Sequence, residues 1–147
     1  MIRGATAFDA GRLAEIEVTD YRLFFYPIFK TDGYFFGELT VEALTNDYRE
    51  HPEKLENTFV YDDGIIKGFI RVNGGELEKL FVEPAFQAEG VGGELIEYAL
   101  AHAEPKRLLV LEKNARAIKF YERHGFYVTN ERQRVDDTDE LFIVMRR

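Results

Sequence analysis

Residues 87 to 93 read Gln-Ala-Glu-Gly-Val-Gly-Gly, between a strand-like run from Glu76 to Val82 and a helix-like run from Glu94 to Ala103. This junction restricts the fold more than any other stretch. Glycine adopts φ > 0 without steric cost and lets a ligand approach the main chain closely. The amides that open the helix lack intrahelical partners, and the helix dipole adds partial positive charge there. Such a junction seats an anion, a phosphate or pyrophosphate above all.

The remaining punctuation orders the chain around this loop. Ile2 to Ala5 reads as a short strand. Asp9 to about Tyr21 has helical spacing of apolar residues at Leu13, Ile16 and Val18. Thr40 is a good cap for a helix running through Leu44 to Tyr48 before Pro52. Thr58 to Tyr61 and Ile65 to Val72 form a hairpin across Asp62-Asp63-Gly64, and Gly74-Gly75 turns the chain into the strand that ends at Pro84. Leu108 to Leu111 is a short buried strand. Ala115 to His124 is a helix with Gly125 at its left-handed end. Phe126 to Arg134 and Glu140 to Arg146 alternate like a closing strand pair. Consecutive strands imply antiparallel pairing, and the strand-helix-strand unit from Glu76 to Leu111 implies one parallel, right-handed crossover. The expected fold is α/β (mixed α+β): a mostly antiparallel seven-stranded sheet with helices on both faces.

The 147 residues suit one domain spanning 1–147, and 46% hydrophobic residues allow a full core without disulfides or metals. The absence of cysteine excludes a disulfide framework, a thiolate metal site and a cysteine nucleophile. His51, His102 and His124 lack metal-ligand spacing. With 19 basic and 27 acidic residues the net charge is −8, which argues against nucleic-acid binding. It mildly favours a cationic partner, although an acidic surface serves solubility first. No apolar run approaches the ~20 residues of a membrane span. The N-terminus lacks the apolar core of a signal peptide, so a cytoplasmic protein without membrane partners is expected.

Three glycine-loop chemistries compete. A P-loop ends in Gly-Lys-Ser/Thr, and this loop continues Gly92-Gly93-Glu94. A dinucleotide fingerprint needs a third glycine where Leu95 stands. The third fits. Gln87-x-x-Gly90-x-Gly92, preceded by Leu80-Phe81-Val82-Glu83-Pro84, resembles the acetyl-CoA loop of the GNAT family of N-acetyltransferases. Asn114-x-x-Ala117-x-x-Phe120-Tyr121-x-x-x-Gly125-Phe126 resembles the family's second motif. The resemblance runs from about Val60 to Val128. It implies a sheet splayed open between strands 4 and 5, with acetyl-CoA as cosubstrate. It also implies direct attack of a primary amine in a ternary complex, the acceptor being a small-molecule amine, a protein N-terminus or a lysine. No cysteine or serine is present to carry the acetyl group covalently. The alternative is a non-catalytic acyl-CoA-binding regulatory module.

The resemblance also implies residue roles. Amides from Ala88 through Glu89, Gly90, Val91 and Gly92 to Gly93 hold the pyrophosphate, and a β-carbon at Gly90 or Gly92 would take the space of phosphate oxygens. Gln87 stands where arginine is also frequent, Ala88 replaces a common glycine, and Glu89 points to solvent. Leu80, Phe81 and Val82 meet the pantetheine arm as an added strand, and the Val82 amide donates to the thioester carbonyl. Asn114 contacts pantetheine or caps its helix, and Ala117 and Phe120 complete the coenzyme contacts. Tyr121, seven residues after Asn114, is the catalytic acid toward the departing thiolate. Glu78 is the candidate base. Period-two alternation puts it beside Leu80 and Val82, opposite Lys79 and Phe81, among apolar neighbours that would raise its pKa. Glu76 or a water chain could replace it. Lys113, Arg116, Lys119 and Arg123 are a solvated helix face more often than a seat for the 3′-phosphate. Phe24, Phe25, Tyr26, Phe29, Tyr34, Phe35 and Phe36 crowd one span, where they either shape the acceptor pocket, pack as core or make a homodimer contact. Asp136, Asp137 and Asp139 form a polar turn that could attract a cationic acceptor.

Overall fold

The computed structural model describes all residues, Met1–Arg147. Its strands are β1 (Ile2–Gly4), β2 (Thr58–Asp62), β3 (Ile66–Asn73), β4 (Glu76–Val82), β5 (Arg107–Leu111), β6 (Tyr127–Arg134) and β7 (Leu141–Arg146). The helices are α1 (Ala10–Asp20), α2 (Tyr26–Phe29), α3 (Val41–Glu50), α4 (Glu53–Glu56), α5 (Val91–His102) and α6 (Ala115–Arg123). One seven-stranded sheet runs β1-β2-β3-β4-β5-β7-β6. Every neighbouring pair is antiparallel except β4–β5.

The local signals act where expected. Thr40 Oγ1 accepts from the Ala43 amide at 3.1 Å and starts α3. Gly64 (φ +86°) closes the β2–β3 hairpin, and Gly125 (φ +92°) ends α6. Two cores lie on opposite faces of the sheet. Ile70, Leu77, Leu95, Ile96, Leu108 and Met145 are among the buried residues between the sheet and α5. Leu13, Ile16, Tyr48, Val60 and Phe69 lie among those between the sheet and α1 with α3.

Gly68 lets β3 and β4 approach closely. A β-carbon there would sit 2.8 Å from the Phe81 carbonyl oxygen, which is main chain and cannot swing away. We expect Gly68→Ala to destabilise the protein by about 1–3 kcal/mol, read as a lowered denaturation midpoint with an unchanged slope.

Two features depart from the sequence expectations. The aromatic span is helical: α1 runs without a break into a π-turn over Tyr21–Phe25 and then α2, ending at Lys30 (φ +56°), and a second π-turn covers Tyr34–Glu38. The β3–β4 register also slips, with Arg71 opposite Lys79 but Val72 opposite Leu77, so that Glu78 is an extra residue. This β-bulge breaks the alternation. Leu77 shares the α5-side core with Leu80 and Val82. Glu78 is exposed and turns instead to Arg71, its carboxylate 3.4 Å from Nε of a guanidinium that also faces the Tyr48 ring on the α1–α3 side. The expected apolar surroundings of Glu78 are therefore absent.

Candidate active site

Strands β4 and β5 are in register only at Glu76↔Arg107 and Leu77↔Leu108. Beyond Leu77 they diverge, and the wedge between them is a cleft of about 760 Å³. The splay implied by the resemblance is thus present. Leu80, Phe81 and Val82 line one wall, Leu109 to Leu111 the other, and the loop from Phe86 to Gly93 with α6 closes the end.

The glycine loop and the second motif meet there. Ala88 (φ +64°) and Gly90 (φ +86°) both take left-handed conformations that turn the chain into α5. No side chain caps that helix, and its ladder begins with the Glu94 amide on the Gly90 carbonyl at 3.0 Å. The amides of Val91, Gly92 and Gly93 thus open the helix as the sequence implies, next to the cleft. An added β-carbon at Gly90 would meet nothing within 4 Å, so its requirement is conformational. At Gly92 the same atom would point at Phe120 and Val82, each 3.6 Å away. Both are ordinary van der Waals distances, so α5, β4 and α6 would accept a β-carbon at Gly92. Glu89 is exposed, as expected. Gln87 donates its side-chain amide to the Val82 carbonyl at 3.0 Å and accepts from Arg116 at 3.4 Å, tying the loop to both walls. We expect Gly90→Ala to cost about 1–2 kcal/mol through left-handed strain, a fall in melting temperature measurable without any ligand.

On α6, the Asn114 side chain accepts from the Ala117 amide at 3.2 Å, so the helix cap is real. Ala117, Phe120 and Tyr121 line the cleft with Arg116 and Arg123, while Lys113 is engaged by Glu140 at 3.1 Å and Lys119 lies outside. Tyr121 packs edge-on against Phe120 and Phe126, at 5.4 and 6.0 Å between ring centres. Burial pushes its phenol above the ordinary tyrosine range, and no protein group hydrogen-bonds the hydroxyl to offset that.

The far side of the cleft is assembled from α1 and the aromatic span. Phe24 and Phe25 line the cleft, whereas Phe35 is buried in a small core with Val18 and Leu39. The span therefore serves both as packing and as cleft wall. Tyr34 and Phe36 are largely exposed. Glu78 sits where the cleft adjoins a second hollow of about 270 Å³ lined by Arg71, Glu76 and Lys79. Glu76 is bound to Arg107. Lys79 donates to Glu17 at 2.7 Å and to the Tyr21 hydroxyl at 2.6 Å, and Tyr48 donates to Glu17 at 2.7 Å, so this buried charge is fully partnered.

The sequence reading missed Asp20, which also lines the cleft and is only 3% exposed. Leu13, Ile16, Glu17 and Asp20 follow the i, i+3, i+4, i+7 spacing of a core-facing stripe. Two carboxylates on that stripe were the available signal.

Comparison with known proteins agrees with this geometry. The acetyltransferase (GNAT) domain matches residues 54–128. The peptidyl-lysine N-acetyltransferase YjaB of Salmonella typhimurium is 34% identical over 109 residues, 68% of this chain and 74% of that protein. The solution structure of apo YjaB from Escherichia coli superposes with a TM-score of 0.65 at 25% identity, over 99% of this chain and 95% of that one. The PaiA N-acetyltransferase of Thermoplasma acidophilum, solved with coenzyme A, shares the fold with a TM-score of 0.69 at 19% identity, over 100% and 98% of the two chains. No helix here is long and apolar enough to cross a membrane. With both motifs inside the matched segment and the sheet splayed beside them, the chain belongs to the GNAT family of acetyltransferases.

Proposed function

We propose that the protein transfers the acetyl group of acetyl-CoA directly to the ε-amine of a lysine in a protein or peptide. The observation that carries this reading is the convergence of the glycine loop, the open β4 edge and Tyr121 on one cleft. The amides at the start of α5 hold the pyrophosphate, with Arg116 and Arg123 as nearby cations. The edge of β4 from Leu80 to Val82, which β5 leaves unpaired, takes the pantetheine arm as an added strand. The Val82 amide steadies the thioester carbonyl, and the Tyr121 hydroxyl meets the leaving sulfur.

Two features favour lysine as acceptor. The relatives at about a third identity are named peptidyl-lysine N-acetyltransferases. The acidic surface (net charge −8) and Glu78 at the edge of the cleft both attract a cation. Incubating the protein with acetyl-CoA and a panel of lysine peptides, blocked N-terminal peptides and small amines tests this. We expect free thiol to appear fastest with lysine peptides and the added acetyl group to map to the ε-nitrogen. Thiol release only with small amines would replace the acceptor, and none with any amine would leave a coenzyme-binding module.

A further inference from the structure

Three carboxylates on α1 meet different fates. Glu15 is bound by Arg12 at the surface. Glu17 is buried but accepts from Lys79 and Tyr48. Asp20 is equally buried, and its Oδ1 has no hydrogen-bond partner. It sits at the junction where α1 widens into the π-turn, a distortion frequent at functional sites, and it lines the same cleft as Tyr121. A buried carboxylate with one oxygen left without a partner weakens folding, and such groups concentrate where chemistry uses them.

We infer that Asp20 is the catalytic base that removes the proton from the acceptor ammonium; this rests on the acetyl-transfer reading above. The groups around it explain its suitability. Glu83, following β4, faces it but is itself bound by Arg12 at 3.1 Å. Lys79, which lines the same cleft, is committed to Glu17 and Tyr21. Burial pushes the Asp20 carboxyl up to about 8, Glu83 adds to the rise, and the Val82 amide partly offsets it. That amide is the one proposed above to serve the thioester carbonyl, so the two share it, and Asp20 lies at the end of β4 where that carbonyl would be placed. Glu78, by contrast, is exposed and paired with Arg71.

The proton ledger closes. The R–NH₃⁺ ammonium gives one proton to the Asp20 carboxylate, and the neutral amine attacks the thioester carbon to form the C–N bond. The C–S bond then breaks, and Tyr121 gives its proton to the thiolate. The second nitrogen proton restores the phenol. Asp20 releases its proton to solvent, so amine and acetyl-CoA yield amide, thiol and one proton. Neutralising Asp20 before attack also removes a negative charge from beside the developing oxyanion.

The test is a pH–rate profile of thiol release with saturating acetyl-CoA and a lysine peptide, for the wild type, Asp20→Asn and Tyr121→Phe. We expect wild-type kcat/KM to rise along a limb centred near 8. Asp20→Asn should lose about 100-fold at neutral pH and lose that limb, whereas Tyr121→Phe keeps it. Replacing the lysine by the less basic S-aminoethylcysteine should narrow the gap between wild type and Asp20→Asn. The melting-temperature rise with CoA should match wild type in Asp20→Asn, which shows a folded, ligand-competent variant. An active wild type equalled by Asp20→Asn in rate and limb overturns this assignment alone. A wild type silent toward every amine overturns the proposed reaction and this assignment together.

Discussion

Tyr121→Phe should lower kcat by about 100-fold or more while the protein keeps its affinity for coenzyme A. The substitution removes one oxygen and leaves the ring, so the edge-on contacts with Phe120 and Phe126 persist and stability should be unchanged within about 0.5 kcal/mol. The hydroxyl has no protein partner to lose, so no buried group is orphaned by the change. What disappears is a donor that desolvation keeps protonated, since burial raises the phenol above its ordinary value. A raised phenol stays a proton donor through and beyond pH ~10, where a free tyrosine would ionise. The loss should therefore be nearly constant across neutral and mildly alkaline pH, unlike the loss in a base variant. Steady-state kinetics from pH 6.5 to about 9.5, paired with CoA-induced melting shifts, separate the two effects. Equal kcat in the two proteins would reduce Tyr121 to a packing residue of α6.

The glycine loop and α6 were readable from the sequence because they are built from local rules. A glycine loop before a helix, an asparagine cap at Asn114 and a terminal glycine at Gly125 each act within a few residues, and each appears in the structure. The opposite side of the cleft was less legible because its determinants are not local. The bulge at Glu78 arises from pairing between β3 and β4, and no residue type announces it. Strict alternation therefore put Glu78 on the wrong side of the strand. The aromatic span has no clean helical period, since π-turns shift the phase at Tyr21–Phe25 and again at Tyr34–Glu38. Asp20 is the instructive omission. The apolar residues of α1 announce its helical period, whereas the two carboxylates on the same stripe look like ordinary surface charges in sequence. One of them, Glu17, proves to be a structural anion matched by Lys79. Only its hydrogen bonds in three dimensions distinguish it from Asp20, which has none at Oδ1.

That distinction has a thermodynamic consequence independent of catalysis. Asp20→Asn should stabilise the protein at pH 8.5 by a few kcal/mol, and the gain should shrink toward zero near pH 4. An unfolded aspartate titrates near 3.9, whereas burial, aided by Glu83, pushes the folded Asp20 carboxyl up to about 8. Below about pH 4 both states carry the proton, and the folded protein buries a neutral acid. Between the two values the folded state alone holds the proton, so stability falls as pH rises, by at most about 1.4 kcal/mol per unit. Above 8 both states are ionised and the whole penalty is present. Asparagine does not titrate, so subtracting its melting curve from the wild type cancels every other ionisation. At about 2–4 °C per kcal/mol for a chain of this size, a gain of ~3 kcal/mol is a melting-temperature rise of roughly 6–12 °C. A difference that does not change between pH 4 and pH 8.5 would show that Asp20 is solvated or paired in solution, and the base assignment would lose its physical footing. If the pH-dependent gain appears together with the kinetic loss, one buried carboxylate accounts for both: its charge opposes folding and is discharged when the acceptor delivers its proton.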